Sequence, residues 1–332
     1  MIRLRASPED FRVEEIPLYA PSGMGEHTFV CVEKTGWTTE DLAAALSRIA
    51  GVARRDVGYA GRKDRDAVAR QWFSVPRLAP ARARAIALPG VRVLDAIPHL
   101  HKLRTGQLAG NRFEIVVREI DPAAAERSTQ RLSHLCVSGM PNRFGPQRFG
   151  RGGANAEQGL RILRGGYVGT DRRGARFLLS ALQAAAFNEA LRLREAPLSS
   201  VERGEVAVVH GSGGLFRVED AAREQPRADA FEISATGPIF GGRTLEPEGA
   251  ARERERAALS AVGIDPDLPL RPPRGIGLRG ARRPLRVRPE EAALEPLPGA
   301  VRLRFTLPPG SFATVLIEEL FGGTLAFGPD PR

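Results

Sequence analysis

The order of apolar patterns predicts an α+β protein built on a mixed, mostly antiparallel sheet. Two observations carry that expectation. The first half reads in a strand, helix, strand, strand, helix order, which is not the regular alternation that builds a parallel sheet. No self-similar segment recurs at a solenoid period, so a repeat architecture is set aside. With 332 residues, 42% of them hydrophobic, the chain has enough apolar material for the cores of about two domains.

Taken in order, a Gly-rich turn over 22–25 leads into a β-like run at 27–33. Thr38 and Thr39, with Asp41 behind them, make an N-cap signal for a helix whose Leu42, Leu46, Ile49 and Ala50 fall at helical spacing. The stretch 58–71, GYAGRKDRDAVARQ, has little apolar rhythm and reads as a loop. β-like segments follow at 71–75, 91–97 and 112–119, then a helical pattern over 121–138 that Gly139 and Pro141 stop. Beyond residue 165 the texture changes. A helix is expected over 177–195, a hairpin over 205–218, Pro/Gly-rich connections over 234–247, and a charged helix over 248–262. The segment 271–288 carries seven arginines and no acidic residue, and is expected to contact phosphates. A β-like run at 301–307 and a helix opened by Ser311 complete the pattern.

Several chemistries are excluded by the residues themselves. None of the three lysines, Lys34, Lys63 and Lys102, follows a glycine, so there is no P-loop. A dinucleotide loop at Gly211 and Gly213 fails because its third glycine position is Phe216. The five histidines form no HExxH, and Cys31 and Cys136 have no nearby partner, so neither a metal site nor a disulfide framework is expected. No G-x-S-x-G elbow is present. No run approaches about 18 apolar residues, and MIRLRASPEDF is not an apolar leader, so a cytoplasmic protein without membrane contact is expected.

Charge points to nucleic acid without proving it. Lys plus Arg number 49 against 39 Asp plus Glu, a net of +10, and all but three of the basic residues are arginine. Against that bias, a retained lysine suggests a need for a compact ammonium. The segment 143–176 holds eight arginines against Glu157 and Asp171, with Phe144 and Phe149 interleaved. Arginines there suit phosphates and an aromatic ring suits a base, although a solvated basic surface fits the same count.

Three further stretches sharpen this. Residues 58–71, 141–150 (PNRFGPQRFG) and 309–315 (PGSFATV), preceded by 7–15 (SPEDFRVEE) and 25–27 (GEH), resemble in order the signature segments of the tRNA pseudouridine synthase D (TruD) family. The resemblance runs from about residue 4 to residue 325. It implies a cofactor-free isomerase that converts a uridine of tRNA, typically uridine 13, to pseudouridine; a monomer is expected apart from that resemblance. It also implies a discontinuous pseudouridine synthase-like core, 1–166 with 287–332, and an inserted second α+β domain over 167–286.

Carried over residue by residue, the family's nucleophile falls on Asp64, an aspartate being ionised at neutral pH without help from a base. Asp66 is a rival carboxylate two residues on. Lys63 is expected to hold the Asp64 carboxylate in place. Phe11, Asn142 and Phe312, with Phe144 close by, correspond to uridine contacts: phenylalanine offers a π-face, and an amide offers a donor and an acceptor to a base edge. Arg5, Arg143, Arg148 and Arg151 are expected to take phosphates. Two positions depart from the family pattern: Ala69 replaces a threonine, and Arg5 stands where relatives often have lysine. An RNA-binding protein without catalysis and a cofactor-dependent RNA methyltransferase are the alternatives from other classes.

Overall fold

The computed structural model describes all residues except Met1, Tyr167, Pro269, Arg271, Arg274, Gly323, Thr324 and 329–332; the side chains of Ile2, Arg3, Arg151 and 325–327 also lie outside the description. In chain order the elements are β1 (Ile2–Leu4), β2 (Phe11–Pro17), β3 (His27–Lys34), α1 (Thr39–Ala50), β4 (Gly58–Tyr59), β5 (Val68–Pro76), α2 (Pro80–Arg84), β6 (Val91–His99), β7 (Leu108–Arg118) and α3 (Pro122–Ser138). Next come β8 (Met140–Pro141), α4 (Ala154–Leu163), α5 (Arg172–Arg192), β9 (Val206–Val209), β10 (Leu215–Arg217), α6 (Ala221–Asp229), β11 (Ile233–Ile239), α7 (Gly249–Ala261) and β12 (Ala281–Pro284). The last are β13 (Arg286–Val287), β14 (Glu290–Leu297), β15 (Ala300–Leu307), α8 (Ala313–Phe321) and β16 (Leu325–Phe327). Among the described residues no helix is long and apolar enough to cross a membrane.

The chain divides into two compact units. The first comprises residues 1–133, 289–310 and 317–332, and is built on a sheet in the order β14-β15-β7-β2-β5-β3-β6. Every neighbouring pair along that path is antiparallel except β2 with β5, so the fold is α+β with a mostly antiparallel sheet. Strand alternation sets the faces: Phe11, Val13 and Glu15 of β2 are buried on one face while Arg12 points to the other. Helix α1 forms because Thr38 accepts a hydrogen bond from the Asp41 N–H and Gly51 ends it in the left-handed conformation. Its Leu42 and Leu46 pack with Val30, Val32, Phe73 and Val75 of the sheet. Fully burying each leucine contributes about 1.5–3 kcal/mol. On the other side of β3, Phe29 packs with Ala60, Leu103 and Leu108.

The second unit, 134–288 with 311–316, has a four-stranded sheet β10-β9-β11-β12 with the largely buried α5 packed on β11. Helix α4 belongs to this unit: Gly159 lies against Leu178 of α5, and Ile162 shares a core with Ala175, Leu178 and Leu179.

Three local expectations need correction. The stretch 234–247 holds a central strand, β11, read as a connection because Ser, Ala, Thr and Gly hide its β pattern. Small residues are required there, since a Cβ on Gly237 would press on Phe187 and Leu285 at 3.0 Å. Pro238 is tolerated because that part of β11 pairs only with β12. Helix α5 starts five residues before the expected 177, because the Asp171 carboxylate caps it by accepting from Gly174 N–H. Residues 58–71 are only in part a loop: both ends are strand, β4 and the first residues of β5.

Candidate active site

In the first unit, the loop between β4 and β5 presents Asp64 at the surface and ties everything beneath it. Two glycines make that path possible. A Cβ on Gly58 would collide with the Leu103 carbonyl, and one on Gly61 would sit 3.0 Å from Lys63 Nζ and 3.2 Å from Glu15 Oε2. The Gln71 amide donates to Gly61 O (2.6 Å), the Thr39 hydroxyl donates to Gln71 Oε1 (3.0 Å), and Lys63 N–H donates back to Thr39 Oγ1 (2.9 Å). Thr39, Gln71 and Lys63 are all buried, so each bond is made where water does not compete.

Asp64 is exposed, its side chain 45% accessible, and Arg5 Nη2 donates to its Oδ2 at 2.6 Å. The Arg5 guanidinium also stacks 4.3 Å from the centre of the Phe11 ring. Arg5 is held at φ +56°, a left-handed backbone that costs an L residue about 1–2 kcal/mol. A bidentate Arg118–Asp10 pair anchors the turn between Arg5 and Phe11, the buried Asp10 also accepting from Ser7 N–H. Arg118 holds the Asp10 carboxyl below its ordinary value despite burial, which opposes it.

The expectation that Lys63 orients Asp64 is corrected. Its ammonium points inward and pairs with Glu15 at 2.9 Å, both side chains almost wholly buried. Arg5 is the cation on Asp64. Phe11 is also not an open platform: it is 5% exposed, edge-on to Phe113, with Arg5 over its face. Ala69, where the family pattern has threonine, is fully buried in β5.

A second cluster lies in the second unit. Asn142 is 3% exposed, and its amide is engaged by its own unit: Nδ2 donates to Pro284 O (3.0 Å), while Oδ1 accepts from Arg283 and from the Ser311 hydroxyl (3.2 Å). Phe144 and Phe312 meet edge-to-face at 5.9 Å, and both are half-buried. Asn188 fixes the Phe144 backbone at both ends, accepting from its N–H and donating to its carbonyl. Arg283 stacks 4.3 Å from the Phe144 ring centre; burial, then the charge of Arg148, brings its pKa down to about 10. Arg148 donates to the Ser180 hydroxyl at 2.6 Å and lies over Phe177. Arg143 is half-buried, and the side chain of Arg151 lies outside the described residues.

The arginine run 271–288 is corrected at three positions; Arg279 is exposed, Arg288 lies 4.6 Å from the Phe231 ring centre, and Arg271 and Arg274 lie outside the described residues. Arg282 is paired with Glu255, Arg283 is bonded to Asn142, and the buried Arg286 donates to Ser138 O, Ala228 O and the Ser234 hydroxyl. These guanidiniums hold the second unit together instead of facing phosphates. Sequence reasoning gave no site role to Glu15, Lys34, Thr39 or Gln71 in the first unit, and read Arg283 as part of a phosphate-binding run and Ser311 as a helix start, not as partners of Asn142. The one available signal was the retention of lysine at 34 and 63 in an arginine-rich chain.

Comparison with known proteins fits a pseudouridine synthase fold carrying an aspartate on a buried polar base. The family model for tRNA pseudouridine synthase D (TruD) matches residues 1–170 and 170–320. The tRNA pseudouridine synthases D of Anaeromyxobacter sp. and Thermus thermophilus are 44% and 42% identical, each match covering 96% of this chain and 91% and 88% of those proteins. A TruD crystal structure from Methanosarcina mazei superposes with a TM-score of 0.75 at 22% identity, covering 96% of this chain and 93% of that one. The chain belongs to the TruD family.

Proposed function

We propose that this protein isomerises uridine 13 of tRNA to pseudouridine without a cofactor, with Asp64 as the nucleophile. The observation that carries the reading is the exposed Asp64 carboxylate, paired to Arg5 and seated on a loop whose underside is fully bonded. Such a carboxylate is accessible to a substrate while its backbone stays fixed, which is what positioned nucleophilic catalysis needs. In the reaction the N1–C1′ bond breaks with the help of Asp64, the uracil turns, C5 bonds to C1′ and gives up its proton, and N1 takes up a proton, so the product is an isomer of the substrate. The base must first leave its stack, and it must be kept from water, because an escaped uracil leaves an abasic site.

Uridine contacts are proposed for Phe11, Asn142, Phe144 and Phe312. For Phe11 and Asn142 the base displaces a partner each now holds, Arg5 on the ring and Ser311 on the amide. Arg143, Arg148 and Arg151 are proposed for phosphates. Residues 1–166 with 287–332 are taken as the catalytic core and 167–286 as the family insertion, in a cytoplasmic monomer.

The test uses an unmodified tRNA transcript, purified protein, chelator and no cofactor, with pseudouridine mapped by carbodiimide-dependent reverse-transcription stops. A single stop at uridine 13 is expected, and none when position 13 is cytidine. A stop elsewhere overturns the position; a stop that appears only after metal or an organic cofactor is restored overturns the cofactor-free reading.

A further inference from the structure

We propose that Lys34 is a positioning residue for Asp64, and that its ammonium form sets the alkaline limit of activity. The inference rests on the assignment of Asp64 as nucleophile. Lys34 ends β3, is 0% exposed, and its Nζ donates to three backbone carbonyls: Trp37 at 2.6 Å, Asp64 at 2.9 Å and Lys63 at 3.4 Å. Three acceptors around one nitrogen need three N–H donors. An ammonium has three and no lone pair; a neutral amine has two, and aims its lone pair at the third carbonyl. The protonated side chain therefore staples 63–64 to the end of β3, and deprotonation opens one bond of the staple. Arginine does not replace it, because a planar fork cannot converge three donors on one point. That is a physical reason for lysine to persist here in a chain with only three.

Several charged groups surround it. Asp64 and Asp66 of the loop and Glu40 of α1 favour the ammonium, and Lys63 opposes it. On the flanking strands, Arg70 of β5 and Arg92 of β6 share the single carboxylate of Glu33, which leaves one positive charge uncompensated there. Burial outweighs the carboxylates and brings the Lys34 pKa from 10.5 down to about 8. The sign follows: all three bonds of the staple are made below pH 8 and one is opened above it, so the rate falls as pH rises.

Single-turnover pseudouridine formation between pH 7 and 9 is expected to fall about tenfold in wild type, as the ammonium fraction does around a pKa of about 8, with tRNA affinity flat. Lys34→Met is expected to lower kcat about 10- to 100-fold with KM little changed, and to lose the alkaline limb. A variant with wild-type kcat, or one that keeps the same limb, overturns the proposal. Hydrogen exchange on wild-type protein covers the case in which the variant does not fold or no activity is found. After correction for intrinsic rates, protection of the amides at 61–66 falls above pH 8 while that of α1 holds. Uniform protection of both segments up to pH 9 overturns the staple whatever the fate of the catalytic assignment.

Discussion

Asp64→Asn is expected to lower pseudouridine formation by about 10³-fold or more, the scale on which removing a nucleophile acts, while tRNA affinity changes by no more than a few-fold. The substitution keeps the shape of the side chain and removes its charge, so the oxygen facing Arg5 is no longer an anion. The loop beneath does not depend on that carboxylate. Lys34 bonds the Asp64 carbonyl, and Thr39 and Gln71 hold Lys63 and Gly61 through their backbones. Stability is therefore expected to change by less than about 1 kcal/mol, as for other exposed ion pairs. Because C5 surrenders its hydrogen when it bonds C1′, tritium release from 5-tritiated uridine in tRNA reads the reaction directly. Residual activity above one-hundredth of wild type in both Asp64→Asn and Asp64→Ala would transfer the nucleophile's role elsewhere, with Asp66 the first candidate. Loss of tRNA binding in step with activity would show instead that Asp64 serves the interface.

Most of the sheet and the helices were legible because they rest on short-range signals. The Thr38 cap, the 3.6-residue spacing of Leu42 and Leu46, and the alternation of β15 need no knowledge of distant residues. Strand β11 was missed because its identity is imposed by close packing with Phe187 and Leu285, which forces small residues where a strand pattern would show large ones. The motif singles out Asp64 as the proposed nucleophile, and the structure places it exposed on its loop. Its surroundings were not legible: Arg5 is 59 residues away in sequence, Glu15 is 48 from Lys63, and Lys34 is 30 from Asp64. Charge adjacency in sequence suggested that Lys63 serves Asp64. Strand geometry decides otherwise, because Glu15 lies on the buried face of β2 together with Phe11 and Val13, and the Lys63 side chain reaches that face. The same blindness made 271–288 look like a phosphate-binding run, when Arg282, Arg283 and Arg286 each have a specific internal partner.

The pair that displaced that expectation carries the second large effect. Lys63 and Glu15 side chains are 5% and 1% exposed, 2.9 Å apart, and Glu15 also accepts from the Trp72 N–H. Desolvating both ions costs several kcal/mol, and their mutual attraction offsets this only while both are present. Lys63→Met leaves a carboxylate in the core with its cation gone, and is expected to destabilise the first unit by about 3–5 kcal/mol in urea unfolding. Lys63→Met combined with Glu15→Gln removes both charges, keeps an acceptor for Trp72 N–H, and is expected to recover more than half of that loss. The two substitutions are thus non-additive in the stabilising direction, the sign a coupled buried pair must give. A Lys63→Met cost below about 1 kcal/mol would mean that Glu15 is solvated, contrary to its burial. A double variant no better than the single one would place the cost in the packing of the lysine stem and not in the stranded charge.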